Sequence, residues 1–260
     1  MLDSAEQRWP ELLWLTRHGE SAGNVARNAA EAAGSITIEL VDRDVDVPLS
    51  ALGERQARAL GRWFGRQPAS QQPSVVFVSP YVRALQTAAL MVEGMISAPD
   101  QRGFLQVVDE RLREKEFGSL NRLTKAGIRH QFPAEWELRM KIGKFYYRPP
   151  GGESWCDVIL RLRSVLDQIQ LQHGGERVLI VAHQVVVLCF RYLLEHLNEV
   201  QLLEIDRHSD VANCGLTTYE FTRDSEGRPG MALRAYNFVT PLEEAGEPVT
   251  KAPDPPVAAR

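Results

Sequence analysis

Arg17 and His18, side by side after the apolar run "ELLWL", are the first residues of this chain with types suited to group transfer. They open the stretch "LTRHGESAGN", which adds Glu20, Ser21 and Asn24 around two glycines. Residues of the same kinds stand at matching places further on. Arg83 follows "SVVFVS" closely, and His183 follows "RVLIVA" directly. The planar fork of a guanidinium matches pairs of phosphate oxygens. An imidazole among such cations is disfavoured from taking a proton and can attack phosphorus. Each residue alone also fits a solvated strand end running into a turn, so the chemistry requires that they converge.

Convergence needs the apolar runs to be neighbours. "LLWLT" (12–16), "SVVFVS" (74–79) and "RVLIVA" (177–182) are β-rich, and each precedes a helix-like segment. That alternation predicts an α/β, three-layer sandwich: a mainly parallel central sheet with helices on both faces. Ligands of such sheets bind outside the carboxyl ends of the strands, where Arg17, His18, Arg83 and His183 fall. "GLTTYEF" and "ALRAYNF" read as two more strands at one side. Ser50 is placed to cap a helix over 51–66, and Ser79 to cap one whose first position is Pro80. Helix starts after Ser79 and His183 would present backbone N–H groups to an anion. Apolar residues at helical spacing (Val158, Leu162, Val165, Leu166, Ile169) predict a helix over 153–172, stopped by "HGGE". Residues 28–47 read as an excursion, and 113–152, rich in aromatic and basic residues, as a small cap insertion over one sheet edge. One domain is expected over 1–240, followed by a flexible Pro-, Ala- and Glu-rich tail, 241–260.

Composition narrows the function classes. The chain has 260 residues, 44% hydrophobic and 25% charged, with a net charge of −4. The basic residues form no long run, which argues against nucleic acid as a partner. No apolar run reaches the roughly 18 residues of a membrane span, and the start lacks the pattern of a secretory signal. Cys156, Cys189 and Cys214 show neither metal-ligand nor redox spacing and read as free thiols of a reducing, cytoplasmic compartment. His130, His173, His196 and His208 show no paired ligand spacing, and no nucleotide-binding loop is present. No metal and no cofactor is therefore expected.

The motifs "TRHGESAGN", "PLSALGERQA", "SPYVRALQTA", "RLREKEFGSL", "PPGGES" and "VLIVAHQ" together resemble the histidine phosphatase superfamily, also called the phosphoglycerate mutase-like family, and occur in its order. The resemblance implies that His18 is the nucleophile and forms a phosphohistidine. Arg17, Arg83 and His183 would hold the phosphoryl oxygens, with Asn24 as a further donor. Glu114 would protonate the leaving oxygen and then activate water, with Glu110 and Glu116 as rivals for that role. The backbone N–H of Gln184 would be one more donor. Many family members carry glycine at this position, so the glutamine narrows the space beside His183.

Other polar residues are open to two readings. Glu20 either neutralises an arginine or belongs to the phosphate site, and Ser21 either caps the next helix or binds phosphate. Ser154 reads as a helix cap, with Glu153 in or near the substrate site. Gly53 and Gln56 read as packing residues. Arg148, Lys141, Lys144, Tyr146 and Tyr147 either line a pocket for an acidic or sugar-like group or form an exposed cap face.

The expected activity is metal-independent hydrolysis of a phosphomonoester. A mutase moving phosphate between hydroxyls is the alternative. The mutase branch carries adjacent arginines before its "GES" motif, whereas here Arg139 and Arg148 are apart. A non-catalytic binding protein on the same fold is the other rival, although no group needed for chemistry is missing. The expected partner is a small phosphorylated substrate or a phosphoprotein, with no nucleic acid and no membrane. The oligomeric state stays open, a dimer included.

Overall fold

Three of the apolar runs are buried along nearly their whole length, and they form the centre of a sheet. The computed structural model describes residues 8–95 and 104–251. Its elements in chain order are β1 (Leu12–Arg17), α1 (Ala22–Ala32), α2 (Ala51–Arg66), β2 (Val75–Val78), α3 (Val82–Met95) and β3 (Leu105–Val108). There follow α4 (Lys125–Gln131), α5 (Pro133–Ile142), α6 (Trp155–Gln172), β4 (Arg177–Ala182), α7 (Gln184–Leu194) and α8 (Glu199–His208). The chain then forms β5 (Leu216–Arg223), β6 (Pro229–Phe238) and α9 (Thr240–Glu244). The six strands make one sheet in the order β3-β2-β4-β1-β5-β6. The first four run parallel, and β5 and β6 are antiparallel additions at one side.

Strand geometry divides the core in two, because successive side chains point to opposite faces. Leu13, Leu15, Val75, Phe77, Val178 and Ile180 pack with α6 and α7 on one face. Trp14, Val76, Val78, Leu179 and Val181 pack with α2 and α3 on the other. The three-layer α/β sandwich is thus present. Gly61 of α2 lets that helix lie against α3, since a Cβ there would stand 2.2 Å from the Met91 carbonyl oxygen. Among the described residues no helix is long and apolar enough to cross a membrane.

The segment 113–152, expected as a cap, has its own apolar cluster: Leu120, Leu123, Ile128 and Tyr147, flanked by Phe132 and Trp136. The 28–47 excursion packs on it. Ile38 N–H donates to Arg122 O and Thr124 N–H to Ile36 O.

Two expectations need correction, and one strand went unread. Helix α3 starts at Val82 rather than Pro80; the Ser79 hydroxyl accepts from Tyr81 N–H at 3.4 Å and also lies 2.7 Å from His183 Nε2. β3 escapes a reading based on apolar runs because most of its side chains are exposed at the sheet edge. Residues 241–251, read as the start of a flexible tail, form α9 and a strap held by specific bonds. Leu242 is fully buried, Glu247 pairs with Arg55 at 2.8 Å, and Gln56 Nε2 donates to Pro248 O at 2.9 Å. The rest of the expected tail, 252–260, lies outside the described residues.

Candidate active site

Strand register alone brings the two histidines together. Arg17 pairs with Ala182 across β1 and β4, and Val78 with Val181 across β2 and β4. The next residues out of the sheet are His18, Ser79 and His183. The ladder continues into them, His18 N–H donating to Ala182 O and Ser79 N–H to Val181 O. The imidazole centroids lie 5.2 Å apart at 64°, and both residues are fully buried.

Hydrogen bonding fixes which nitrogen of His18 can react. Nδ1 lies 2.7 Å from the Gly19 carbonyl oxygen, which can only accept, so Nδ1 carries the proton. Nε2 keeps its lone pair, and Arg83 Nε donates to it at 3.3 Å. Arg83 is held in turn by Asp44, through the carbonyl at 2.6 Å and the carboxylate at 3.2 Å. It also lies over the Tyr81 ring, 4.8 Å from the centroid. Tyr81 packs on His183 at 5.1 Å. Burial, then the Asp44 charge, push the Tyr81 phenol up, so it remains protonated.

Arg17 is fully buried and donates from Nη1 to Val211 O at 2.9 Å. Ser21 caps α1 in a reciprocal box with Asn24. Asn24 Oδ1 accepts from Ser21 N–H at 2.9 Å and from Ser21 Oγ at 3.0 Å. Glu20 makes a different contact: its carboxylate accepts from Ser50 Oγ at 2.7 Å and its N–H donates to Gln56 Oε1. It stitches the loop to α2, where Gly53 is required because a Cβ would stand 1.9 Å from the Glu20 carbonyl oxygen.

The three glutamate rivals separate by environment. Glu110 is exposed. Glu116 is tied by its Oε1 to the Phe117 and Gly118 N–H groups. Glu114 is 1% exposed and lines a cavity that leads under the cap. Its segment is clamped from α6: Arg161 donates to the carbonyls of Arg111 and Glu114 while pairing with Glu153 at 3.0 Å. Glu153 also pairs with Arg113 at 2.7 Å and accepts from Glu116 N–H. Burial pushes its carboxyl up, but Arg161, the Glu116 N–H and Arg113 outweigh this and hold it below the usual range. Glu153 is therefore part of the scaffold behind Glu114 rather than of the cavity wall. Gln184 starts α7 on that wall and donates from Nε2 to Asp210 Oδ1 at 3.0 Å.

Of the five cap residues, Lys144 and Tyr147 line the cavity, whereas Lys141, Tyr146 and Arg148 are exposed. Tyr81, Asp44, Thr87 and Asn213 went unread in the sequence, and Ser79 was read only as a helix cap. Thr87 Oγ1 accepts from Gly19 N–H, and Asn213 Nδ2 donates to the His18 carbonyl. Ser79, Tyr81 and Thr87 sit in the same "SPYVRALQTA" segment as Arg83, which was the available signal.

Residues 13–228 match the family model described as histidine phosphatase superfamily (branch 1). A 2,3-bisphosphoglycerate-dependent phosphoglycerate mutase of Methylorubrum populi is 32% identical over 181 residues, 66% of this chain and 73% of that protein. A 6-phosphofructo-2-kinase/fructose-2,6-bisphosphatase of Caenorhabditis elegans is 31% identical over 83% of this chain, which spans 43% of that protein. Among solved structures, a mycobacterial glucosyl-3-phosphoglycerate phosphatase in complex with VO3 superposes with a TM-score of 0.64 at 25% identity, covering 88% of this chain and 99% of that one.

Proposed function

The chain belongs to the histidine phosphatase superfamily, and on that premise we propose that it hydrolyses phosphomonoesters through a phosphohistidine on His18. The observation that carries this reading is the tautomer of His18: with Nδ1 donating to Gly19 O, the Nε2 lone pair is the nucleophile. In the first step Nε2 attacks phosphorus and the bond to the leaving oxygen breaks. Glu114, in its acid form, gives that oxygen a proton. Arg17, Arg83 and His183 hold the phosphoryl oxygens as charge shifts, with Asn24 as a further donor. In the second step the Glu114 carboxylate takes a proton from water, which attacks phosphorus. Inorganic phosphate leaves, and Nε2 regains its lone pair.

Mutase-type transfer is the second reading, favoured by the 32% identity to a phosphoglycerate mutase. Hydrolysis is preferred because Arg148, the cap arginine nearest the "GES" motif, is exposed and paired with Asp157. The test is turnover of phenyl phosphate by the purified protein in the presence of a chelator, with acid-stable and acid-labile phosphoenzyme measured after rapid quench. Release of inorganic phosphate through an acid-labile adduct supports the reading. Transfer to an added hydroxy acid without phosphate release favours the mutase, and no turnover of any phosphomonoester refutes hydrolysis.

A further inference from the structure

The cavity beside Glu114 is partly open to solvent. It runs from Glu114 and Gln184 to Trp136 and Tyr147 of the cap. Two cations on its wall are almost wholly buried, Lys115 at 6% exposure and Arg139 at 7%. Buried charges in proteins are normally paired. Lys144, on the same wall, follows that rule through its ion pair with Asp206. Lys115 does not. Among the described residues its ammonium has no carboxylate within ion-pair distance, and its defined contact is the Phe117 ring, 4.3 Å away. Burial, then the like charge of Arg139, bring the Lys115 amine down to about 8.

A second group on the wall is also incomplete. Gln184 is 5% exposed, and its Oε1 is buried without a hydrogen-bond partner. Its amide cannot be reversed to cure this, because Nε2 must face the Asp210 carboxylate. The cavity thus presents an ammonium lacking an anion and a carbonyl lacking a donor.

Building on the hydrolase reading, we propose that this cavity is the leaving-group subsite and selects a substrate whose leaving group carries a carboxylate, held by Lys115 beside Arg139, with a hydroxyl or amide donor satisfying Gln184 Oε1. A carboxylate fits better than a second phosphate. Glu114, Glu135 and Asp206 share the wall, and a dianion would face all three. The anchor is also next to the proposed acid in the chain, and it is the backbone N–H of Lys115, not its ammonium, that donates to Glu114 Oε1 at 2.7 Å. A leaving group fixed at Lys115 has its bridging oxygen brought toward Glu114.

The experiment uses matched substrates that differ by one charge: 4-carboxyphenyl phosphate against 4-carbamoylphenyl phosphate, and 4-phosphooxybutanoate against 4-phosphooxybutanamide. At neutral pH the acid should exceed its amide in kcat/KM by at least about tenfold in one pair, mainly through KM, as expected for a charge-assisted hydrogen bond. In Lys115→Met and Lys115→Gln that ratio should fall to about one, whereas Lys115→Arg should retain a preference for the acid. Because the ratio is taken within each variant, a change in its overall activity or stability cancels. A wild-type ratio near one in both pairs, or a ratio that survives both neutral substitutions, overturns the proposal. Failure of all four substrates and of phenyl phosphate refutes the hydrolase reading instead.

Discussion

His18 can attack phosphorus only from Nε2, because Nδ1 is committed to the Gly19 carbonyl. Replacing it with alanine removes a lone pair that no neighbouring group supplies in the same place. His18→Ala is expected to retain its circular dichroism and to lose both turnover and phosphoenzyme. Activity above a few per cent in a folded variant would exclude His18 as nucleophile. The acid is tested by leaving-group chemistry. General acid catalysis contributes roughly 10²–10⁴-fold where the leaving oxygen needs a proton. Glu114→Gln should therefore slow an alkyl phosphate by about that range. An aryl phosphate with an acidic phenol should be phosphorylated onto His18 with far less loss, and then show a burst if water attack becomes limiting. Glu110→Gln, exposed in the fold, and Glu116→Gln, tied to the turn that follows it, are the controls. Equal losses on both substrates at Glu114, or the leaving-group dependence appearing in a control, would move the acid elsewhere.

Secondary-structure elements differ in how far they could be read from the chain. The parallel strands β1, β2 and β4 were legible because burial on both faces makes them continuous apolar runs, and their register then places Arg17, His18 and His183 with little further information. Edge strand β3 was not, because its mostly exposed side chains carry no such signal. Helix α3 starts two residues after Pro80, and Ser79 adds to its Tyr81 N–H bond a tertiary contact with His183 that local capping rules do not anticipate. Asn213 lies in an irregular loop 195 positions from His18 and could not be placed by periodicity at all. The strap after α9 was hidden by its composition, since a Pro-rich segment reads as flexible until its partners are known. Those partners lie directly behind the loop. Thr250 Oγ1 donates to Asn213 Oδ1 at 2.9 Å and accepts from Gln56 Nε2 at 3.1 Å, while Asn213 holds the His18 carbonyl and Gln56 the Glu20 N–H. Thr250→Val keeps the shape and leaves a buried Asn213 oxygen without that donor. It should cost about 1–3 kcal/mol of stability by denaturant unfolding and lower kcat more than it raises KM. Unchanged stability and kcat would show that the strap does not support the site.

At the scale of the whole molecule, a chain of net charge −4 keeps a set of cations inside, and Lys115 is one of them with no ion-pair partner among the described residues. That imbalance has a consequence for global stability. Arg139 of α5 faces Lys115 as a like charge, while Glu114, Glu153 and Cys189 act on it in the opposite sense from the preceding residue, the turn before α6 and α7. The net effect holds the folded amine at about 8, below the 10.5 of an unhindered lysine. Below about pH 8 both the folded and unfolded chains carry this proton, and the full penalty of burying the charge is present. Between about 8 and 10.5 the unfolded state binds more protons than the folded one, so this lysine's contribution to stability rises with pH. Above that window the amine is neutral in both states and the penalty is gone. The depressed value corresponds to about 3 kcal/mol at neutral pH. Lys115→Met should therefore unfold at higher denaturant concentration than the wild type at pH 7, with the gap shrinking as pH is raised through the window. Adding 4-carboxybenzylphosphonate, a non-hydrolysable carboxylate-bearing mimic, should stabilise the wild type more than the variant. A variant less stable at pH 7, or a gap that does not change with pH, would mean that the Lys115 ammonium is compensated in the folded protein and is not held ready for an anion.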